Sequence, residues 1–207
     1  MEQVNNTPDI VVGRLPVYLR ALQYMETAGR KVTSSQELGE RLGISAAQIR
    51  KDLSQFGEFG KQGTGYQIEF LIEQLSVILQ VNKIWDVAVI GAGDIGHALA
   101  RYQGFANRGF QVKMVFDNDP HKIGKQIGDF VVQDIANLVP LIKETGIKIA
   151  MLTVPADAAQ AIVDELTKAE ILAILNYAPI NLSVKPGIHV QYIDPVIHLQ
   201  RMTYYLK

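Results

Sequence analysis

The segment Val87-Ala88-Val89-Ile90-Gly91-Ala92-Gly93-Asp94-Ile95-Gly96 constrains the fold more than any other part of the chain. Four apolar residues run directly into a G-x-G-x-x-G spacing, and a helical pattern follows over Ile95–Asn107. A strand, a tight glycine turn and a helix in that order open a dinucleotide-binding βαβ unit. Gly91 suits the sharp turn, Gly93 lets the backbone approach a pyrophosphate, and Gly96 lets the helix pack closely on the strand. The helix N-terminus adds partial positive charge, so Gly91, Gly93 and Gly96, with Ala92, Asp94 and Ile95 between them, are candidate cofactor-binding residues. A second strand, Val112–Phe116, leads to Asp117, 26 residues after Gly91, where the usual separation is about 20. A carboxylate there accepts hydrogen bonds from the adenosine ribose and repels a 2′-phosphate, which favours NAD(H) over NADP(H). No arginine follows nearby, and Lys122 is the cation to set against that preference. A domain of this kind could also take another nucleotide, such as coenzyme A, or none.

Further strands are expected at Ile147–Leu152, Ile171–Leu175 and His189–Ile193, with helices at Ile135–Thr145 and Ala156–Lys168. Such alternation specifies a parallel sheet covered on both faces. The chain before it reads differently. Leu15, Leu19, Leu22 and Met25 fall at helical spacing, and Ser34/Glu37 and Ser45/Gln48 are capping-box pairs for helices at Ser35–Leu42 and Ala46–Gln55. The turn Gly43-Ile44 between them makes a helix-turn-helix. Four glycines interleaved with aromatics over Gly57–Tyr66 suit a β-hairpin, hence a wing; the alternative is a three-helix bundle with a loop. An amphipathic helix over Glu69–Val81 joins the blocks. The expected organisation is residues 1–81 as winged helix with linker, 82–193 as the dinucleotide domain, and 194–207 as a C-terminal helix.

The net charge of −1 gives no sign of nucleic acid, yet Ile10–Gln67 carries eight Lys/Arg against five acids, a balance that permits DNA binding without requiring it. With no cysteine, disulfides and thiolate metal sites are excluded, and no metal-ligand cluster is visible. No apolar run approaches 18 residues and the start lacks a basic region before an apolar one, which points to a cytoplasmic protein without a membrane span. An NAD-dependent oxidoreductase with a helical cap domain is the rival reading. It needs a proton donor beside the nicotinamide, and His97, His121, His189 and His198 lie on a phosphate-loop helix, a loop, a late strand and the last helix. None suits that role. Little chain remains after the sheet to build a substrate site.

Taken together, several motifs carry a more specific signal: Arg14-Leu15-Pro16-Val17-Tyr18-Leu19-Arg20, Gln48-Ile49-Arg50-Lys51-Asp52-Leu53-Ser54, Phe56-Gly57-Glu58-Phe59-Gly60, Gly63-Thr64-Gly65-Tyr66, the glycine fingerprint, Phe116-Asp117-Asn118-Asp119-Pro120, Thr153-Val154-Pro155 and Leu175-Asn176-Tyr177-Ala178-Pro179. In order and spacing they resemble the Rex family of redox-sensing repressors over nearly the whole chain. The resemblance implies an α/β protein with an N-terminal winged helix-turn-helix and a C-terminal Rossmann-type parallel sheet. It further implies a homodimer that holds an inverted-repeat operator while NADH is scarce, with the C-terminal helix swapped onto the partner subunit. That helix is opened by Asp194 and Pro195 and carries Val196, Ile197, Leu199, Met202 and Leu206; docking on its own sheet is the alternative.

The implied DNA contacts are Ser45, Gln48, Arg50, Lys51 and Ser54 on the second helix, with Lys61 and Gln62 in the wing. Beside the glycine turn, the NADH/NAD⁺ contacts are Asp117 and Lys122 at the ribose, and Tyr102, Thr153, Val154, Pro155, Asn176, Tyr177, Ala178 and Pro179 around the nicotinamide half. Asp194 would switch between Arg20 and Tyr102. Two positions depart from the family pattern: Pro195 stands where a large apolar residue is frequent, and Gln62 where the wing often has a basic one.

Overall fold

The computed structural model describes residues 7–61 and 65–206, and the chain divides into two compact units, Met1–Lys83 and Ile84–Lys207.

The first unit runs α1 (Asp9–Val12), α2 (Leu15–Thr27), β1 (Val32–Thr33), α3 (Ser35–Leu42), α4 (Ala46–Leu53), β2 (Gly60–Lys61), β3 (Gly65–Gln67) and α5 (Ile68–Ile78). Pro16 sits in the first turn of α2, where its missing N–H costs nothing. The stripe Leu15, Tyr18, Leu19, Leu22 and Met25 is buried against Leu38 of α3, Ile49 and Leu53 of α4, and Ile68, Leu71 and Leu75 of α5. At roughly 1.5–3 kcal/mol for each large side chain removed from water, this one core is what holds three short helices that would not persist alone. Both expected caps form, with Ser34 Oγ accepting from Glu37 N and Ser45 Oγ from Gln48 N. The reciprocal arms of the boxes do not: the Glu37 carboxylate is taken by Thr33 Oγ1 and Arg30, and the Gln48 amide by Asp52. After α4 the chain turns into the antiparallel sheet β1-β3-β2. This is a wing, and the reading as a bundle with a plain loop is discarded.

The second unit runs β4 (Trp85–Ile90), α6 (Asp94–Ala100), β5 (Phe110–Asp117), β6 (Gln126–Ile127), β7 (Phe130–Val131), β8 (Gln133–Asp134), α7 (Leu138–Thr145), β9 (Ile149–Leu152), α8 (Ala156–Lys168), β10 (Ala173–Asn176), β11 (His189–Tyr192) and α9 (Pro195–Thr203). Its six-stranded sheet has the order β11-β10-β9-β4-β5-β8, with every pairing parallel. Alternate residues of β4 serve opposite faces. Ala88 and Ile90 join Leu138, Ile142, Ala159, Val163 and Leu166 of α7 and α8, whereas Val87 and Val89 meet Ala100 of α6 and Val112 and Val115 of β5.

The helix expected over Ile95–Asn107 is broken. It stops at Ala100, and a 3₁₀ turn takes Gln103–Arg108. The backbone leaves helical geometry at Tyr102, where ψ is 108°, and Gly104 in the following turn lies under the Tyr102 ring, which occupies the space a Cβ would need. The first turn of the helix expected at Ile135–Thr145 is likewise a 3₁₀ turn, Ile135–Asn137. In α9, Asp194 Oδ1 caps Val196 N and Pro195 stands at the first position. Val196, Ile197, Leu199, Met202 and Leu206 are all more than half exposed in the single chain, so α9 does not dock on its own sheet.

Candidate functional site

The direction of winding reverses between β4 and β9, and open parallel sheets form their ligand crevice at such a point, beyond the carboxyl ends of the strands. The structure has a cleft of about 700 Å³ there. Gly91, Gly93, Asp94 and Ile95 line its floor, Asp117, Asn118, Asp119 and Lys122 one end, and Thr153, Val154, Pro155, Tyr177 and Pro179 the other.

The three fingerprint glycines have distinct tasks. Gly91 has φ +102°, and a Cβ on it would lie 2.8 Å from the Thr153 carbonyl oxygen. A Cβ on Gly96 would collide with the Gly91 carbonyl. These two are therefore glycine for the fold. Gly93 has nothing within 4 Å of its absent Cβ, so the protein itself does not require glycine there. It leaves space at the mouth of the turn, as close approach of a pyrophosphate to the backbone demands.

Asp117 is only 6% exposed. Its carboxylate accepts from Ala92 N at 2.7 Å, Asp119 N at 2.8 Å and Lys122 Nζ at 3.2 Å. Burial pushes its pKa up, but the two backbone N–H groups and Lys122 outweigh burial and hold it below the usual carboxylate value. It is thus an anion at neutral pH with one acceptor position left of about four, or two where Lys122 swings away. Lys122, less buried than Asp117, is paired with it rather than free to favour a phosphate.

Other expected contacts are placed differently. Thr153 lines the cleft, yet its single Oγ1–H is shared between the carbonyls of Ile90 and Gly91 and staples the end of β9 to the turn. Asn176 and Ala178 are buried and do not line it. Asn176 Nδ2 donates to the Ala178 and Ile180 carbonyls and its Oδ1 accepts from Ala178 N, shaping the loop that presents Tyr177 and Pro179. Ala92 faces an adjoining hollow with Gly93, Asp94, His97, Arg101 and Lys122. Tyr102 lines neither space; half exposed, it packs edge-on against Phe105 and its hydroxyl accepts from Arg108. Ile135, Asp157, Ala158 and Ile162 line the cleft without having been singled out, as do Asn118 and Asp119, which stood in a quoted motif but were given no contact role. Asn118 and Asp119 were findable, since they follow a strand's carboxyl end. Among the described residues, no group of three or more His, Asp or Glu side chains is placed to hold a metal.

In the first unit, α4, the second helix of the helix-turn-helix, carries exposed polar side chains. Arg50 and Lys51 are exposed, and Arg50 Nη1 donates to Ser35 Oγ. Ser45 Oγ caps α4 and Ser54 Oγ donates to the Lys51 carbonyl, so both hydroxyls already serve the backbone. Lys61 ends β2, and Gln62 lies outside the described residues. Arg20 is exposed, without an ion-pair partner among the described residues. The group that pattern reading passed over is Asp52, wholly buried on α4. It accepts from Arg14 Nε at 2.6 Å and Nη2 at 2.8 Å, from Tyr18 Oη at 2.6 Å and from Gln48 Nε2 at 2.7 Å. Burial raises its pKa, while the bonds from Arg14, Tyr18 and Gln48 lower it further than burial raises it. Burial and the neighbouring carboxylate push the Tyr18 hydroxyl well up, so it remains a donor. Arg14 and Tyr18, four residues apart on one helical face, were the available signal.

Comparison with known proteins agrees with this division. Residues 82–180 match the family described as CoA binding domain, and residues 6–54 that described as putative DNA-binding protein N-terminus. The chain is 50% identical over all of its length to the redox-sensing transcriptional repressor Rex of Chloroflexus aggregans, covering 97% of that protein. It is 40% identical to that of Brevibacillus brevis, over 96% of each. This chain belongs to the Rex family. A solved Rex-family repressor, RSP, in complex with NAD⁺ and operator DNA superposes with a TM-score of 0.91 at 38% identity, over 96% of this chain and 92% of that one. RSP in complex with NADH gives 0.90 at 36%, over 97% and 94%. The Rex relatives are named as transcriptional repressors, and the oxidoreductase reading is set aside.

Proposed function

We propose that this chain is a homodimeric repressor that holds an inverted-repeat operator and leaves it when NADH binds. The observation that carries the reading is the glycine turn, open at Gly93, facing a crevice with the Asp117 anion at one end and a largely apolar wall at the other. These residues fit a dinucleotide. Backbone N–H groups at the start of α6 would face the pyrophosphate, and Asp117 would take the adenosine ribose hydroxyls. Coenzyme A carries a phosphate on that ribose, which an ionised Asp117 would repel. The same repulsion disfavours a 2′-phosphate, so the charge at Asp117 selects NAD(H).

A bound nicotinamide supplies the redox signal, being cationic when oxidised and neutral when reduced. Val154, Pro155 and Pro179 offer it no counter-charge, Asp157 on the same side of the cleft is exposed and its charge screened by solvent, and burying an unpaired cation is costly. The wall therefore favours the reduced form. Preference alone does nothing to DNA; the ligand must bind two dimer states unequally. The exposed apolar face of α9, in residues 194–207, is the dimerisation element, and its crossing to the partner gives each dinucleotide domain (82–193) a stake in the other subunit. Arg50 and Lys51, with Lys61 in the wing, meet the operator through residues 1–81. Helix-turn-helix dimers need their half-sites about one helical turn apart, or a multiple, so rotation of one subunit against the other is enough for release. Asp194, arriving from the partner, exchanges between Arg20 and Tyr102 as the switch. The protein acts in the cytoplasm, where its DNA is; none of its described helices is long and apolar enough to cross a membrane.

Titration calorimetry of the full chain tests the ligand. NADH binding at least tenfold tighter than NAD⁺ is expected, and equal affinities would contradict the apolar-wall argument.

A further inference from the structure

Gln48 stands one turn before Asp52 on α4, and its Nε2 donates to Asp52 Oδ1 at 2.7 Å. Asp52 has no exposed surface, and its other bonds come from Arg14 on the segment before α2 and Tyr18 on α2. This has a consequence for the amide. A carboxylate only accepts, so the edge that Gln48 turns to Asp52 must be its NH₂ edge. One N–H is thereby used. The second N–H and Oε1 remain, side by side, on a residue only half buried.

A glutamine free in solution can rotate its amide by half a turn and offer donor and acceptor in either order. Gln48 cannot do so without setting its oxygen against the carboxylate. The remaining donor–acceptor pair is complementary to the major-groove edge of adenine, which offers N7 as acceptor and N6–H as donor. The other polar groups of this helix have different limits. Arg50 is tethered to Ser35, Lys51 offers a charge without a planar pair, and the Ser45 and Ser54 hydroxyls already serve the backbone.

We infer that Gln48 reads an adenine in each operator half-site, and that Asp52 is its positioning residue, fixing which way the amide faces. This rests on the reading of α4 as the helix that enters the major groove. Sequence preference then comes from a pair of groups held by a buried network, while Arg50 and Lys51 supply charge that is less selective.

The test is selection of binding sites from a random duplex pool by the full-length protein, followed by affinity measurements on single-base variants of the selected site. Wild type should lose about tenfold where that A·T pair becomes G·C in one half-site, the discrimination usual for a good bidentate base contact, and about a hundredfold where it is changed in both. Gln48→Ala should flatten preference at that pair and keep it elsewhere. Asp52→Asn, whose amide can turn either edge to Gln48, should flatten the same pair. Tyr18→Phe, which leaves the carboxylate in place, should keep the preference and so separates folding from reading. An unchanged motif in Gln48→Ala overturns the inference, as does equal weakening on every sequence, which would make Gln48 a phosphate contact. Asp52→Asn weakening all positions alike would make Asp52 purely structural. A wild-type protein that selects no motif at all would instead refute the DNA-binding reading beneath it.

Discussion

Tyr18→Phe removes a single oxygen from a fully buried side chain and leaves the packing of its ring intact. That oxygen donates to Asp52 Oδ2 at 2.6 Å. A hydrogen bond to a charged group contributes about 1.5–3 kcal/mol. The carboxylate keeps Arg14 and Gln48, so no bare charge is created and the loss belongs in the lower part of that range, about 2 kcal/mol. For a unit of this size 1 kcal/mol moves the melting midpoint by about 4–8 °C, so a drop of about 10 °C is expected in the transition of the first unit. Circular dichroism and calorimetry at pH 7 measure it. The pH dependence adds a second check. The folded pKa of Asp52 is depressed, so its stabilisation is complete above the unfolded value of about 3.9 and is lost as pH falls through the folded one. The variant lacks one of the depressing bonds, so the gap between it and wild type should narrow in acid. A loss below about 0.5 kcal/mol at neutral pH, or a gap that widens in acid, would refute the account of this network.

The glycine turn gives a contrasting pair: Gly96→Ala should destabilise the second unit by about 1–3 kcal/mol through its clash with the Gly91 carbonyl, whereas Gly93→Ala should leave the melting midpoint within a few degrees and still weaken NADH by tenfold or more in titration calorimetry. Asp117→Ser should weaken NADH and raise the ratio of NADPH to NADH affinity, because the anion facing the 2′ position is gone; an unchanged ratio would remove Asp117 from cofactor choice. Met202→Glu on the exposed face of α9 should shift sedimentation from dimer to monomer at micromolar concentration. Asp194→Ala should bind both NADH and operator but uncouple them, and unchanged coupling would discard the switch.

The site's main chain was legible because glycine spacing and strand alternation are backbone requirements, and Gly91, Gly96 and Asp117 stand where those requirements placed them. What pattern reading missed arose from side chains turning to unexpected partners. Asn176 ends β10 at the edge of the cleft but spends its amide on Ala178 and Ile180, and Tyr102 was assigned to a continuous helix that breaks at that residue. Ser45 and Gln48 looked like a closed capping box, yet only one arm formed because the Asp52 carboxylate is the stronger attractor of the amide. Ile135 and Ile162 pack against the core beneath α7 and α8 and also line the cleft. An apolar residue's periodicity cannot distinguish a packed core from the wall of a crevice.

The central claim is that the reduced cofactor, and not the oxidised one, drives this protein off DNA. Fluorescence anisotropy of the full chain on an inverted-repeat operator fragment, at one fixed salt concentration, measures it directly while NADH or NAD⁺ is titrated in. Release by NADH at concentrations where NAD⁺ leaves the complex intact is the expected result. Release by both at similar concentrations, or DNA binding indifferent to either, would contradict it.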